Sequence, residues 1–160
     1  MSVNKDRPHV FVLPEDDANL RIANGFHLEV AANRQRQMQV LPVPGGWNEV
    51  LKLFESQHAK EMDRCPGRFI VLLIDFDGDQ SRLERAMACI PQRLADRVFV
   101  LGALGEPEDL KPDLGPYEAI GSRLAEDCRQ DTDGTWGHRL LRHNAGELNR
   151  LRARVRPILF

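Results

Sequence analysis

The chain reads as an α/β fold: a mainly parallel sheet of about four strands, helices on both faces, and a helical C-terminal extension. Three observations predict it. Four short apolar runs recur along the chain, HVFVL at His9–Leu13, MQVLPV at Met38–Val43, FIVLLI at Phe69–Ile74 and RVFVLG at Arg97–Gly102. The stretches between them carry apolar residues at helical spacing. The third run is unbroken, rich in β-branched residues and bounded by Gly67 and Gly78, the pattern of a strand buried on both faces. Strands alternating with helices in this rhythm indicate βαβ crossovers in a parallel sheet.

Each element follows in order. Pro14 closes the first strand, and Glu15, Asp16 and Asp17 come at once. Leu20, Ala23, Phe26 or His27, and Val30 predict a helix over 17–33, weakened at Asn24-Gly25. Acids at a helix N-terminus also suit the dipole, a purely structural role. The second strand contains prolines and is expected at an edge. Pro44-Gly45-Gly46 is a tight turn onto a helix at Trp47–Phe54, and Ser56–Pro66 reads as an exposed charged loop. Ser81-x-x-Glu84 has the capping-box pattern for a helix running to about Cys89. Glu106–Gly115 is expected as a loop over the carboxyl end of the sheet. Pro116 starts a helix through Cys128, with Tyr117, Ile120 and Leu124 on one face. Trp136–Asn144 reads as a short helix; Asn144 with Glu147 resembles a cap for a last helix ended by Pro157.

At 160 residues the length is that of one domain, here an α/β core over about 9–103 and the extension over about 104–160. No apolar run approaches the roughly 20 residues of a membrane span, and MSVNKDRPHV lacks the apolar core of a signal peptide, so a cytoplasmic protein is expected. Cys65, Cys89 and Cys128 are widely and irregularly spaced, which predicts reduced thiols and no cysteine zinc clamp. Charge is uneven: residues 129–160 carry seven Arg against Asp131, Asp133 and Glu147, a net +4 on an otherwise acidic chain. A basic tail of this kind points to a polyanion such as nucleic acid, with Arg139, Arg142, Arg150, Arg152 and Arg154 as candidate phosphate contacts. Arg150, Arg152 and Arg154 are expected on the outer face of the last helix.

The candidate site is acidic. Asp75, Asp77 and Asp79 follow the third strand in DFDGD, and Glu15 follows the first. Ligands of open α/β sheets bind beyond the carboxyl ends of the strands, where these side chains are expected to emerge. DFDGD is also a plain turn sequence, in which Asp79 or Ser81 caps the next helix. If the two strands are neighbours, the carboxylates converge and repel, and a divalent cation relieves them. Hard oxygen ligands of this kind suit Mg²⁺ or Mn²⁺ better than zinc.

Glutamate after strand one, a glycine turn after strand two and Asp-x-Asp after strand three resemble the Toprim domain, a Rossmann-like catalytic module of topoisomerases, bacterial primases, recombination mediators and OLD-type nucleases. The resemblance covers about Val10–Leu101 and leaves out the C-terminal third. It implies Glu15 as general acid/base, Gly45 or Gly46 as the turn glycine, and Asp75 and Asp77 as the metal-holding pair, with Asp79 as a further ligand. The function it implies is Mg-dependent phosphodiester cleavage of nucleic acid. The alternative is a catalytically inactive Toprim-like binding or regulatory subunit. The family carries Glu-Gly where this chain has Glu15-Asp16, and no topoisomerase tyrosine region or primase zinc module is present. Asp16, Asp17 and Asp75 also resemble a receiver domain, without its lysine after the last strand. DFDG also resembles the first motif of haloacid-dehalogenase-like phosphatases, with Asp79 in place of threonine. His138 and His143 read as local hydrogen-bonding residues. Trp47 and Trp136 read as core or helix-packing anchors; of the two, Trp136, beside Arg139 and Arg142, is the better candidate for base stacking.

Overall fold

The computed structural model describes residues 2–160. Four strands, β1 (His9–Pro14), β2 (Met38–Val40), β3 (Arg68–Leu73) and β4 (Val98–Leu101), form one sheet in the order β2-β1-β3-β4, every pairing parallel. The helices in chain order are α1 (Asp17–Leu28), α2 (Trp47–Leu53), α3 (Ala59–Arg64), α4 (Ser81–Ala88), α5 (Lys111–Leu114), α6 (Tyr117–Gln130) and α7 (Ala145–Leu159). The α/β class predicted from the four apolar runs is the one observed.

Alternation along the strands divides the core in two. Val10, Val12, Phe69, Val71, Phe99 and Leu101 face α1, α6 and α7. Phe11, Leu13, Ile70, Leu72, Val98 and Val100 face α2, α3 and α4. Both faces being covered is why these strands read as continuous apolar runs and not as apolar–polar alternation. The C-terminal third is half of one face: Leu124, Leu148, Leu151 and Val155 lie in the same cluster as Val10 and Val12.

Gly25, which weakens α1 as a helix, has a packing reason. A Cβ there would lie 2.1 Å from the Glu118 carbonyl oxygen, and one at Gly121 would lie 1.9 Å from that of Ile22. The two glycines let the backbones of α1 and α6 touch.

Several sequence expectations are corrected. Ser56–Pro66 is not an exposed loop: the chain runs through a π-helical turn (Phe54–His58) into α3, burying Phe54, Ala59 and Met62 while the charged residues between them face out. The first helix stops at Leu28, and a 3₁₀ segment, Ala32–Gln37, leads into β2. Strand β2 ends at Val40, because after the Leu41 N–H bond to Val12 O the chain reaches Pro42, which has no donor. Ser81 is no capping box, since Gln80 holds the cap position without a side-chain bond. Glu106–Gly115 contains a 3₁₀ turn and α5. In Trp136–Asn144 the only helical turn is 3₁₀, Arg142–Asn144. Pro157 lies inside α7, which continues to Leu159.

Asn144 holds the N-cap position of α7, as expected, but makes no side-chain cap bond; it and Glu147 instead seal a sheet edge. Strand β4 is outermost, and its free edge would expose unpaired backbone. Asn144 exchanges two bonds with Gly102 (Oδ1 accepting from its N–H at 3.2 Å, Nδ2 donating to its carbonyl at 2.9 Å), and Glu147 Oε2 accepts the Val100 N–H at 2.8 Å. Arg150 donates to the Ala95 and Val98 carbonyls and is braced by Glu147. These side chains, three residues apart from the N-cap of α7 into its first turns, replace a missing strand. Glu147→Ala strands the Val100 N–H and is expected to lower unfolding free energy by about 1–3 kcal/mol in urea titration; an unchanged midpoint would show the edge is held by other contacts.

Candidate acidic site at the carboxyl edge

The chain leaves β1 for β2 on one side and later enters β3 on the other side of β1. Between β1 and β3 lies the switch point where open α/β sheets form their crevice. The pairing sets His9–Pro14 against Arg68–Leu73, and the Glu15 N–H continues the ladder to Leu73 O at 2.9 Å. Glu15 and Asp75 therefore leave the sheet side by side, and the Asp75 N–H donates to Glu15 Oε2 at 2.7 Å. Gly46, in the Gly45-Gly46 turn where both residues have positive φ, donates its N–H to Glu15 O at 3.1 Å.

Asp75 is 6 % exposed. Asn19 is equally buried and donates Nδ2 to Asp75 Oδ2 at 3.0 Å; it is fixed there because Asp16 caps α1 by accepting the Asn19 N–H at 2.9 Å. Asp75 Oδ1 has no hydrogen-bond partner. Burial, and then the charges of Glu15 and Asp16, push the Asp75 carboxyl up to about 8. Burial also raises Glu15, against the opposing hydrogen bond from the Asp75 backbone.

Glu15, Asp75 and Asp77 line one cleft, together with Asp16, Arg82, Glu106, Glu108 and Tyr117. They are not equivalent. Asp77 has a left-handed backbone (φ 50°), an exposed side chain, and a contact of 3.6 Å with Arg82. Arg82 also donates to the Asp75 carbonyl at 2.9 Å, so a guanidinium stands at the acidic rim. Asp79 is a correction: it does not line the cleft but accepts the Ser81 N–H at 2.9 Å, a bond that with the Ser81 hydroxyl holds its carboxyl below the usual range. It plays the turn role that DFDGD also allows.

Among the described residues no group of three or more His, Cys, Asp or Glu side chains is gathered closely enough to enclose a metal. Glu15 and Asp75 are nevertheless hard oxygen donors in contact, one with an unpartnered buried oxygen. That fits an ion such as Mg²⁺ or Mn²⁺, which takes one or two protein carboxylates and completes its shell with water and phosphate.

The basic residues fall otherwise than expected. Arg152 is not on the outer face of α7: it is buried, bonded to Asp133 Oδ1 at 3.0 Å and to Thr132 O at 2.5 Å. Arg150 is half-buried against the β4 edge and over Phe99. Arg154 is half-exposed beside Asp96 and Phe69. Arg139 and Arg142 are exposed. Trp136 is a core anchor, as the sequence predicts, its Nε1 donating to Leu124 O at 3.1 Å, and its burial removes it as a base-stacking candidate; Trp47 is half-buried with the Arg82 guanidinium 5.0 Å from its ring centre. His138 bonds Asp113 at 2.7 Å, and His143 stands edge-on to Phe76.

Sequence reasoning missed Asn19, Arg82 and Tyr117. Asn19 had one signal, its place three residues after the capping Asp16; Arg82 and Tyr117 reach the cleft only through tertiary packing.

Fold and site together define a three-layer parallel α/β protein with a carboxylate pair at its switch point, Asp75 buried and Glu15 half-buried. No family model matches the chain, and no similar protein emerges from comparison with curated sequences or solved structures.

The Asp75 carboxyl fixes a pH dependence. Its folded-state value lies above the unfolded value of about 3.9, so the folded protein binds more protons across roughly pH 4–8, and stability falls as pH rises through that window. Asp75→Asn removes the penalty. Without divalent ions, the variant should match the parent's melting temperature near pH 4 and exceed it by several degrees at pH 8. A difference independent of pH would mean that Asp75 titrates normally.

Proposed function

We propose that the chain cleaves phosphodiester bonds of nucleic acid in a Toprim-like reaction dependent on Mg²⁺ or Mn²⁺, with Glu15, Asp75 and Asp77 as its acidic residues. The observation that carries this reading is the buried, partly unpartnered Asp75 carboxylate held against Glu15 at the switch point. A buried charge without a counter-charge is destabilising, and such sites persist where a ligand supplies the missing partner.

A divalent ion held by Asp75 would stabilise charge on a phosphate oxygen when bound. The chain's own groups do the rest. Glu15, its carboxyl raised by burial, is suited to take a proton from an attacking water or hydroxyl. Asn19 keeps Asp75 in one orientation. Arg82, anchored on the Asp75 carbonyl, presents planar donors suited to a phosphate, with Asp77 holding it from the other side. Arg139 and Arg142 are exposed and available to a more distant phosphate backbone.

A second reading, an inactive Toprim-like binding or regulatory subunit, is favoured by one observation: Arg82 already places a cation against Asp77. The Asp75→Asn, Asp77→Asn double variant separates the two. On the catalytic reading the parent nicks plasmid or degrades single strands when Mg²⁺ or Mn²⁺ is added, and the double variant loses at least about a hundredfold of that rate while remaining folded. Calorimetric metal binding by a parent with no turnover selects the second reading.

A further inference from the structure

Two aromatic rings, each flanked by cations, stand on opposite layers of the sheet around the acidic cleft: Trp47 packs against the core under α2, α3 and α4, and Tyr117 against the core under α1, α6 and α7. On one side Trp47, whose backbone N–H faces the Glu15 carboxylate, has the Arg82 guanidinium 5.0 Å and that of Arg85 5.6 Å from its ring centre. On the other side Tyr117, which lines the cleft, has Arg21 at 5.2 Å and Lys111 at 4.6 Å. Both rings are partly open to solvent, unlike the core-anchoring Trp136. Of the four cations only Arg21 is tied into a close two-bond ion pair, with Glu118. In the cleft itself sits Asp75, more than nine-tenths buried, with one carboxylate oxygen lacking a partner.

Each flank combines what a nucleic-acid strand offers in alternation, a flat base and a charged phosphate. Aromatic rings accept any base face and the adjacent cations pair with the backbone. A duplex keeps its bases stacked inward and offers these rings little. We propose that the two rims, Trp47 with Arg82 and Arg85 and Tyr117 with Arg21 and Lys111, form a track that holds a single-stranded polynucleotide across the acidic floor. This rests on the nucleic-acid reading above and names its substrate class. Because the floor repels phosphate, the track fills only when a divalent cation accompanies the strand.

The test is fluorescence anisotropy of labelled thymidine and uridine oligomers with the full chain in Ca²⁺, strand integrity being checked on gels. Trp47→Leu and Tyr117→Leu should each weaken binding roughly tenfold, whereas Trp47→Phe and Tyr117→Phe, which keep a ring, should retain most of it. Arg85→Ala and Lys111→Ala should each flatten the salt dependence by about 0.7 in the log–log slope. Weakening of both oligomers alike supports a track blind to the sugar, and weakening of one names DNA or RNA as the strand. Affinity indifferent to both Leu substitutions overturns the proposal, as does duplex binding as tight as single strand, or a mononucleotide binding as tightly as the oligomer. Ring-dependent strand binding without cleavage in Mg²⁺ or Mn²⁺ would uphold the track and remove the catalytic reading. Cleavage with ring-independent affinity would do the reverse.

Discussion

The in-register parallel pairing of β1 with β3 is the constraint on which the rest depends. It is held by apolar residues buried on both faces, Val10 and Phe69 on one side, Leu13 and Leu72 on the other. Such a pair has no freedom to slip, because a shift of one residue would exchange its two buried faces. The chain continues for one or two residues past the end of the ladder on each strand, and those residues are Glu15 and Asp75. Hydrophobic burial thus brings together two acids that would otherwise repel. The cost of burying Asp75 is met by the core that surrounds it, and in the protein alone it is eased by protonation and by the Asn19 hydrogen bond.

The sheet's two edges are closed by different devices. At β2 the N-terminal arm lies alongside, with the Val3 N–H on Gln39 Oε1 and the Asn4 N–H on Arg36 O. At β4 the side chains of α7 bond the open backbone directly. This explains the fate of the basic tail. A guanidinium carries five donors and can satisfy several carbonyls or carboxylates at once, so Arg150 and Arg152 act as internal clamps. Charge counted along a sequence measures how many arginines there are and not how many remain free.

Around the cleft the same residues recur in opposed roles. Carboxyl groups dominate the cleft lining, Glu15, Asp16, Asp75, Asp77, Glu106 and Glu108 against the one guanidinium of Arg82, so the region stays acidic. Arg82 is bonded to the Asp75 backbone, paired with Asp77 and laid over Trp47. Whatever binds there must exchange some of these internal pairs for its own.

What the amino-acid order determined by itself was the sheet and the placement of acids at its carboxyl edge. Apolar runs of β-branched and aromatic residues need no partner to be recognised, and a residue directly after such a run has only one place to be. Glu15 and Asp75 were legible for that reason, and Asp77 was placed correctly at the cleft but not in its pairing with Arg82. Only tertiary structure decided which strand neighbours which, that Gly25 meets Glu118, and that Arg82 and Tyr117 reach the cleft. The physical reason is common to all three. Each depends on contacts between segments whose separation in the chain carries no periodic signal, so the outcome is fixed by packing and not by local pattern.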